Sequence, residues 1–199
     1  MEQKAKKIAE LFESKRSYRK FKGHDIPVEV ITDCLKVALR APSGANMQPW
    51  TFCVIKDSEL KQQIRVESEK VEVEFYENQK LSNWHKDLDH LNVDTSKPFL
   101  SDAPYLIVIF YHKTNKDDSV TYYASKSTGL ASGMLIAALH QVGLVSLTYT
   151  PHKMKFLKDI LNRSEYEVPY LVLAVGRKDE TYELPKIKKK KIEETVIIY

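Results

Sequence analysis

The chain has 199 residues, of which 43% are hydrophobic and 29% are charged, and its formal net charge is +4 at pH 7. This balance excludes the low-hydrophobicity signature of disorder and leaves enough apolar side chains for a core, so we predict one domain over residues 1–199. No apolar run approaches the length of a membrane span, about 18 residues, and the N-terminal segment is amphipathic, so we expect a cytoplasmic protein without a membrane partner.

Hydrophobic periodicity predicts helices and strands along the whole chain. Pro27 suits the first turn of the second helix. Two continuous apolar runs, "PYLIVIFY" and "PYLVLAVG", are rich in β-branched and aromatic residues, which is typical of central strands buried on both faces. The predicted order is helix 3–14, helix 27–41, strand 51–57, helix 58–79, strand 104–111, helix 120–142, strand 144–149, helix 154–162, strand 169–176 and strand 194–199.

The helix predicted over residues 120–142 carries small residues four apart on one stripe. Each glycine inside a helix costs roughly 1 kcal/mol relative to alanine, so a close contact should compensate for the two in this stripe. Close approach of another helix would provide that contact, either within the chain or across a subunit interface, and both interpretations stay open. The stripe consists of Ser125, Gly129, Gly133 and Ala137.

A short basic segment, "KRSYR", follows the first helix and places Ser17 between Arg16 and Arg19. Two guanidinium groups with a hydroxyl between them suit a phosphate monoester, because each planar fork donates paired, charge-assisted hydrogen bonds to its oxygens. A basic surface turn without a ligand is the commoner origin of such a segment. The pattern therefore indicates a candidate phosphate site.

The loop "APSGANMQPW" lies where the second helix meets the first predicted strand. Small side chains around Gly44 let backbone amides approach a flat ligand, and Ser43 and Asn46 can hydrogen-bond to its edge. A tight turn without a ligand accounts for the glycine but not for the whole run.

Another candidate is "TYT", Thr148 to Thr150, at the end of a predicted central strand. Proteins with helices packed on sheets tend to place ligand contacts at the C-terminal ends of strands. Threonines in this position are also ordinary strand residues, so the segment indicates a site only together with the others.

Glu72, Tyr76 and Lys97 form a fourth candidate. The first two are four residues apart and so share one face of a helix, and Lys97 precedes a predicted strand. An anion, a phenol and a cation brought together would suit an amino acid, because the anion can bind its ammonium group and the cation its carboxylate. A surface helix with ion pairs would produce the same spacing.

The segment "PKIKKKK", residues 185–191, concentrates five lysines. A solvated tail is the first interpretation, a phosphate-facing cluster the second and nucleic-acid binding the third, because no nucleic-acid motif accompanies the segment. The two cysteines and six histidines have neither disulfide nor metal-ligand spacing. We therefore predict no metal site and no nucleic-acid partner.

Three motifs, "KRSYRKF", "APSGANMQPWTF" and "GLVSLTYTP", occur in the order and at the approximate separations found in nitroreductase-like FMN flavoproteins. Within that superfamily the chain most resembles the iodotyrosine deiodinase family and its soluble bacterial members, because an acid lies four residues before a tyrosine and a lysine twenty-one after it. The resemblance extends from about Phe12 to the C-terminus. It implies an α+β, nitroreductase-like fold with a central mixed β-sheet flanked by helices, in a domain-swapped homodimer.

The resemblance also implies which residues bind FMN and substrate. Ala45 would donate its backbone N–H to the substrate phenolate. Glu72, Tyr76 and Lys97 would bind the zwitterion of a halotyrosine over the flavin. The Thr150 hydroxyl would lie near flavin N5, and this threonine and the three zwitterion ligands are the implied catalytic residues. The implied FMN-binding residues are Lys15, Arg16, Ser17, Tyr18, Arg19, Pro42, Ser43, Thr148, Tyr149, Thr150 and Lys189.

A member of this family removes iodide, bromide or chloride from halotyrosines by reduction. The resemblance implies a mobile lid over about residues 70–98 and an exchanged C-terminal tail over about residues 184–199. Asn46 stands where deiodinases often have histidine, which keeps a general NAD(P)H-dependent nitroreductase or quinone reductase as an alternative. A flavin-binding protein that binds a tyrosine analogue without turnover is the second alternative.

Overall fold

The computed structural model describes residues 1–23, 25–78, 91 and 94–199. None of the helices within these residues is long and apolar enough to cross a membrane. The helices are α1 Glu2–Glu13, α2 Val28–Ala38, α3 Ser58–Asn78, α4 Phe99–Asp102, α5 Ala124–Gln141 and α6 Lys155–Ile160; the strands are β1 Phe21–Lys22, β2 Trp50–Ile55, β3 Tyr105–His112, β4 Val145–Tyr149 and β5 Glu167–Lys178.

The five strands form one sheet in the order β1-β5-β3-β2, and β4 also pairs with β5. The named strands pair antiparallel, with Val108 of β3 opposite Cys53 of β2 and Val172 of β5. A single parallel bridge joins Ser17 to Ser146, outside the named strands. The α+β fold with a central sheet flanked by helices is therefore confirmed.

The sheet is covered on both faces, because alternate residues of its central strand point in opposite directions. One face of β3 packs with apolar residues of α3, α4 and α6, and the other packs with α2 and α5. Every residue from Tyr105 to Phe110 is buried. This two-sided burial explains why the β3 and β5 sequences are continuous apolar runs, and it confirms them as central strands.

The predicted element order agrees with the structure apart from the ends of some elements, the short β1 and α4, which were not predicted, and the last strand. Helix α5 begins at Ala124 and not at residue 120, because Tyr123 adopts a left-handed conformation with φ 53°. The strand predicted over residues 194–199 is wrong. A short 3₁₀ turn at Ile192–Glu194 is followed by an exposed tail that pairs with no strand among the described residues.

The small-residue stripe on α5 has two different environments. A Cβ added at Gly129 would lie 2.8 Å from the Tyr170 hydroxyl, so this glycine permits a contact within the chain. A Cβ added at Gly133 would meet no atom within 4 Å. The intramolecular interpretation therefore holds for Gly129, and Gly133 faces open space.

Candidate active site

A cavity of about 420 Å³ opens between α3, the end of β4 and the segment before α4. Glu72, Tyr76 and Lys97, which the sequence predicted to act together, all line it. The predicted lid of residues 70–98 lies partly outside the described residues, at positions 79–90 and 92–93. The cavity walls also include Arg19, Asp94, Ser96, Pro98, Phe99, Leu147, Thr148, Tyr149, Thr150 and Tyr182.

Two opposite charges meet in the wall of this cavity. Glu72 and Lys97 are 8% and 6% exposed, and the Lys97 Nζ lies 3.3 Å from the Glu72 Oε2. The second carboxylate oxygen of Glu72 accepts a hydrogen bond of 2.9 Å from the Tyr149 hydroxyl. The Lys97 ammonium also donates to the backbone carbonyl of Asp94. Burial strengthens these contacts, because little water competes for the charges.

The backbone of Lys97 is held by a second acid of α3. The Lys97 N–H donates to Glu69 Oε1 at 2.7 Å, and the Arg65 Nε donates to the same oxygen at 2.9 Å. Burial raises the pKa of Glu69, but the hydrogen bonds from Lys97 and Arg65 outweigh burial and lower that pKa overall. The carboxylate therefore stays ionised and fixes the segment that carries Lys97.

Tyr76 lies one turn after Glu72 on α3 and faces the same cavity. The Lys97 Nζ lies 5.8 Å from the centre of its ring, within the range of a cation–π contact. Burial, followed by the negative charges of Glu72 and Asp94, raises the pKa of the Tyr76 phenol. Tyr76 is therefore a neutral phenol that can donate a hydrogen bond.

The end of β4 presents alternating side chains. Thr148 and Thr150 are exposed and line the cavity, whereas Tyr149 is buried. Burial and the neighbouring Glu72 carboxylate raise the pKa of Tyr149, so its hydroxyl stays protonated and keeps donating to Glu72. The sequence predicted Tyr149 as a cofactor ligand, and the contact to Glu72 was not anticipated.

A smaller cavity of about 160 Å³ lies next to the first, and Arg19 lines both. Burial and the positive charge of Lys189 lower the pKa of Lys15. The Arg16 guanidinium donates to the backbone carbonyl of Pro185. This cationic cavity is lined by Lys15, Arg16, Ser17, Arg19, Leu91, Pro185, Ile187 and Lys189.

The walls of the cationic cavity have an unbalanced charge. Among the described residues that line it, lysine and arginine side chains converge and no carboxylate is present. Like charges at half-buried positions repel one another, so an anion with several oxygens would stabilise them. Residues predicted from "KRSYR" and the lysine run are therefore brought together around one cavity.

The loop of residues 42–48 lies elsewhere. Ala45, Asn46 and Gln48 have φ of 51°, 55° and 48°, which non-glycine residues seldom adopt. Ser43 Oγ accepts a hydrogen bond of 3.0 Å from the backbone N–H of Gln48. A Cβ on Gly44 would lie 3.1 Å from the Tyr122 carbonyl oxygen, which explains the glycine. Pro42, Ser43 and Ala45 line neither of the two cavities within one chain.

Tyr18, also predicted to bind the cofactor, lies outside the lining of both cavities. Its ring packs against the core and lies 6.2 Å from the ring of Tyr182, which does line the larger cavity. Glu69 was missed by the sequence analysis. Its spacing of three residues from Glu72 was visible, but α3 carries several other acids and the spacing alone does not distinguish it.

Residues 12–177 match the sequence profile of the Nitroreductase family. The chain belongs to the nitroreductase family. Among members with curated names it is 40% identical over 200 residues to the iodotyrosine deiodinase of Haliscomenobacter hydrossis, a match that covers 98% of this chain and 90% of the relative. It is 34% identical to iodotyrosine deiodinase 1 of Homo sapiens, over 99% of this chain and 70% of that one.

Solved structures agree with this membership of the nitroreductase family. Oxidized iodotyrosine deiodinase, crystallised with FMN and 3-iodo-L-tyrosine, superposes with a TM-score of 0.83 and 35% identity, over 96% of this chain and 97% of that chain. A BluB-like flavoprotein from Clostridium difficile 630 has a TM-score of 0.76 and 23% identity, over 96% of this chain and 98% of that chain. The second likeness concerns the fold alone.

Proposed function

We propose that this protein is an FMN-dependent oxidoreductase that removes halide from halotyrosines by reduction. The observation that carries the proposal is the meeting of Glu72, Tyr76 and Lys97 in one cavity beside the cationic cavity. An amino-acid zwitterion and a phosphate group are the ligands that these two sets of side chains would bind.

The residues of the cationic cavity fit the phosphate of FMN. Arg16, Arg19, Lys15 and Lys189 supply positive charge and hydrogen-bond donors, and Ser17 supplies a hydroxyl. Arg19 continues into the larger cavity, where Thr148 and Thr150 present their hydroxyls. When bound, FMN supplies the electrons for the reaction, which converts an aryl halide, two electrons and a proton to the arene and halide.

The side chains of the larger cavity bind and orient the substrate. The Glu72 carboxylate accepts hydrogen bonds from the substrate ammonium group, and the Lys97 ammonium donates to the substrate carboxylate. Tyr76, a neutral phenol, adds a hydrogen-bond donor and an aromatic face. Because these groups are largely buried, they hold the aromatic ring of the substrate in one orientation and exclude water from it.

A homodimer is part of the proposal. Ala45 is exposed and does not line either cavity of its own chain, so a second copy could bring that backbone N–H to the substrate. Gly133 faces open space, and Val196, Ile197 and Ile198 of the predicted exchanged tail are exposed. Such apolar surface is usually covered by a partner. The cytoplasmic location stays a prediction.

Iodide release tests the function directly. The FMN-loaded protein is reduced anaerobically with dithionite and mixed with 3-iodo-L-tyrosine, and we expect iodide and tyrosine in equal amounts. Lys97→Ala should abolish most of this release. The control Lys70→Ala, which changes an exposed lysine paired with Glu67 on α3, should not.

Two other outcomes would contradict the proposal. Tight binding of iodotyrosine without iodide would favour the non-enzymatic binding protein. Rapid flavin reduction by NAD(P)H with turnover of nitroaromatics or quinones, little iodide release and no effect of Lys97→Ala would favour a general reductase.

A further inference from the structure

In this structure the two charges that would bind the zwitterion are bound to each other. The Lys97 Nζ lies 3.3 Å from Glu72 Oε2, and the two side chains are 8% and 10% exposed. Each charged group that a substrate needs already has a counter-ion inside the protein. A ligand that takes one of these charges must therefore separate it from its partner.

The pair is held from both sides. The Tyr149 hydroxyl donates to Glu72 Oε1 at 2.9 Å, from a strand residue 77 positions away. Glu69 accepts the backbone N–H of Lys97 at 2.7 Å. The carboxylate and the lysine segment thus have anchors other than each other. Separating the pair by a small side-chain movement would leave both anchors in place.

We propose that ligands enter this site by ion-pair exchange, so that an aromatic compound with a single charged group binds more weakly than a neutral one. The proposal rests on the proposed function and concerns how its site discriminates among ligands. Tyr149 is assigned as a positioning residue, because it orients the Glu72 carboxylate that receives the ammonium group.

The selectivity follows from the cost of an unpaired buried charge. A zwitterion replaces both partners, since its ammonium takes the place of Lys97 on Glu72 and its carboxylate takes the place of Glu72 on Lys97. A ligand with only an ammonium group pairs with Glu72 and leaves Lys97 without a counter-ion, which is strongly unfavourable in a buried site. A neutral phenol leaves the pair intact. Affinity should therefore not rise steadily with the number of charged groups.

Four ligands test this order by calorimetry on the oxidised, FMN-loaded protein. They are 3-iodo-L-tyrosine, neutral 2-iodophenol, 3-iodotyramine with only the ammonium group, and 3-(4-hydroxy-3-iodophenyl)propanoate with only the carboxylate. We expect 3-iodo-L-tyrosine to bind tightest and both singly charged compounds to bind more weakly than 2-iodophenol, although they offer more contact area.

Affinities of the singly charged compounds between those of 2-iodophenol and iodotyrosine would overturn the exchange, and iodide release would then still support the proposed function. If iodotyrosine itself does not bind, both proposals fail. Calorimetry is used because its signal does not depend on a change in the flavin spectrum.

Removing one charge of the pair should reverse the order for one ligand. In Glu72→Gln the Lys97 ammonium has lost its counter-ion, so the propanoate should bind about tenfold tighter than to the unchanged protein, and 3-iodotyramine should not. In Lys97→Gln the Glu72 carboxylate has lost its counter-ion, so 3-iodotyramine should bind more tightly than to the unchanged protein, and the propanoate should not. An equal loss for both compounds in both variants would overturn the exchange.

Tyr149→Phe keeps the buried ring and removes the hydrogen bond to Glu72. We expect the affinity for 3-iodo-L-tyrosine to fall about tenfold, as for loss of a hydrogen bond to a charged group, while that for 2-iodophenol stays the same. In the Glu72→Gln background the same change should have little further effect. A uniform loss for every ligand would show that Tyr149 acts only in packing and would overturn its positioning role.

Discussion

Two buried ion pairs in this protein differ in how many hydrogen bonds the carboxylate of each pair accepts. Glu167, at the start of β5, accepts hydrogen bonds from Arg163 Nε at 3.0 Å and Nη2 at 2.9 Å, and from the backbone N–H of Ser164 at 3.0 Å. Glu72 has one hydrogen bond from Tyr149 and one ion pair with Lys97 at 3.3 Å. Glu167 is enclosed, whereas Glu72 lines a cavity.

The difference separates a structural pair from an exchangeable one. Burial raises the pKa of Glu167, but the hydrogen bonds from Arg163, Thr51 and Ser164 together outweigh burial and lower that pKa overall. Its oxygens already have protein donors, so a ligand would gain little by competing. Glu72 faces a single lysine across the wall of a cavity large enough for a ligand. Charge and burial alone therefore do not indicate a binding site. A buried charged group is a candidate where it accepts few hydrogen bonds and also lines a cavity.

The largest effect should come from breaking the Arg163–Glu167 pair. Arg163→Gln leaves the fully buried Glu167 carboxylate without its counter-ion, and we expect the free energy of unfolding to fall by about 3–5 kcal/mol. Urea denaturation of the FMN-loaded protein measures this. Lys70→Gln, at an exposed pair on α3, should change stability by less than about 0.5 kcal/mol. Equal effects of the two variants would refute the structural role.

Breaking the Glu72–Lys97 pair should instead reduce activity strongly and stability less. Lys97→Gln removes the charge proposed to bind the substrate carboxylate, so we expect kcat/KM for 3-iodo-L-tyrosine to fall about 100-fold, equivalent to about 2.7 kcal/mol. Stability should fall less than in Arg163→Gln, because Tyr149 still donates to Glu72. Iodide release and urea denaturation together check this. A variant with normal kcat/KM but a large loss of stability would show that the Glu72–Lys97 pair has a structural role, like the Arg163–Glu167 pair.

In the cationic cavity, positively charged side chains have no carboxylate counter-ion among the described residues that line it. Arg16→Gln should weaken FMN binding about 10-fold to 100-fold, because one charge-assisted set of hydrogen bonds to an anion is lost. Quenching of FMN fluorescence measures the affinity. The matched control is Lys20→Gln, an exposed neighbour that pairs with Asp179 at 3.5 Å. Equal affinities in the two variants would show that Arg16 does not contact the phosphate.

The smallest effect concerns pH. His112 lies beside the Arg163–Glu167 pair. Its Nε2 is 3.8 Å from Glu167 Oε1 and 2.9 Å from Thr51 Oγ1. Burial lowers the pKa of His112 from its usual 6.5, although Glu167 opposes this shift. The unfolded chain therefore binds more protons between that lowered value and 6.5, so stability falls as the pH drops below 6.5.

His112→Gln should flatten this dependence, because the group that takes up a proton only in the unfolded chain has been removed. Urea midpoints at pH 7 and pH 5.5 measure it for both proteins. An unchanged slope in the variant would show that another group titrates in this range.

Local patterns identified most of the secondary structure. The apolar runs of β3 and β5 are continuous because both faces of the sheet are covered, and sequence periodicity reports this directly. The tail of residues 195–199 was misjudged for a related reason. Its apolar side chains favour a strand, but a strand needs a neighbouring edge to pair with, and the tail pairs with none in the part of the chain that the structure describes.

The sequence by itself determined the order of the longer elements, the two central strands and the residue types of the proposed phosphate and zwitterion sites. Only the tertiary structure decided that Tyr149 contacts Glu72, 77 positions away, and that Lys189 joins Lys15 in one cavity. It also separated the loop of residues 42–48 from the cavity lining of its own chain. Helical and strand periodicities are local, whereas these contacts depend on how the sheet brings distant segments together.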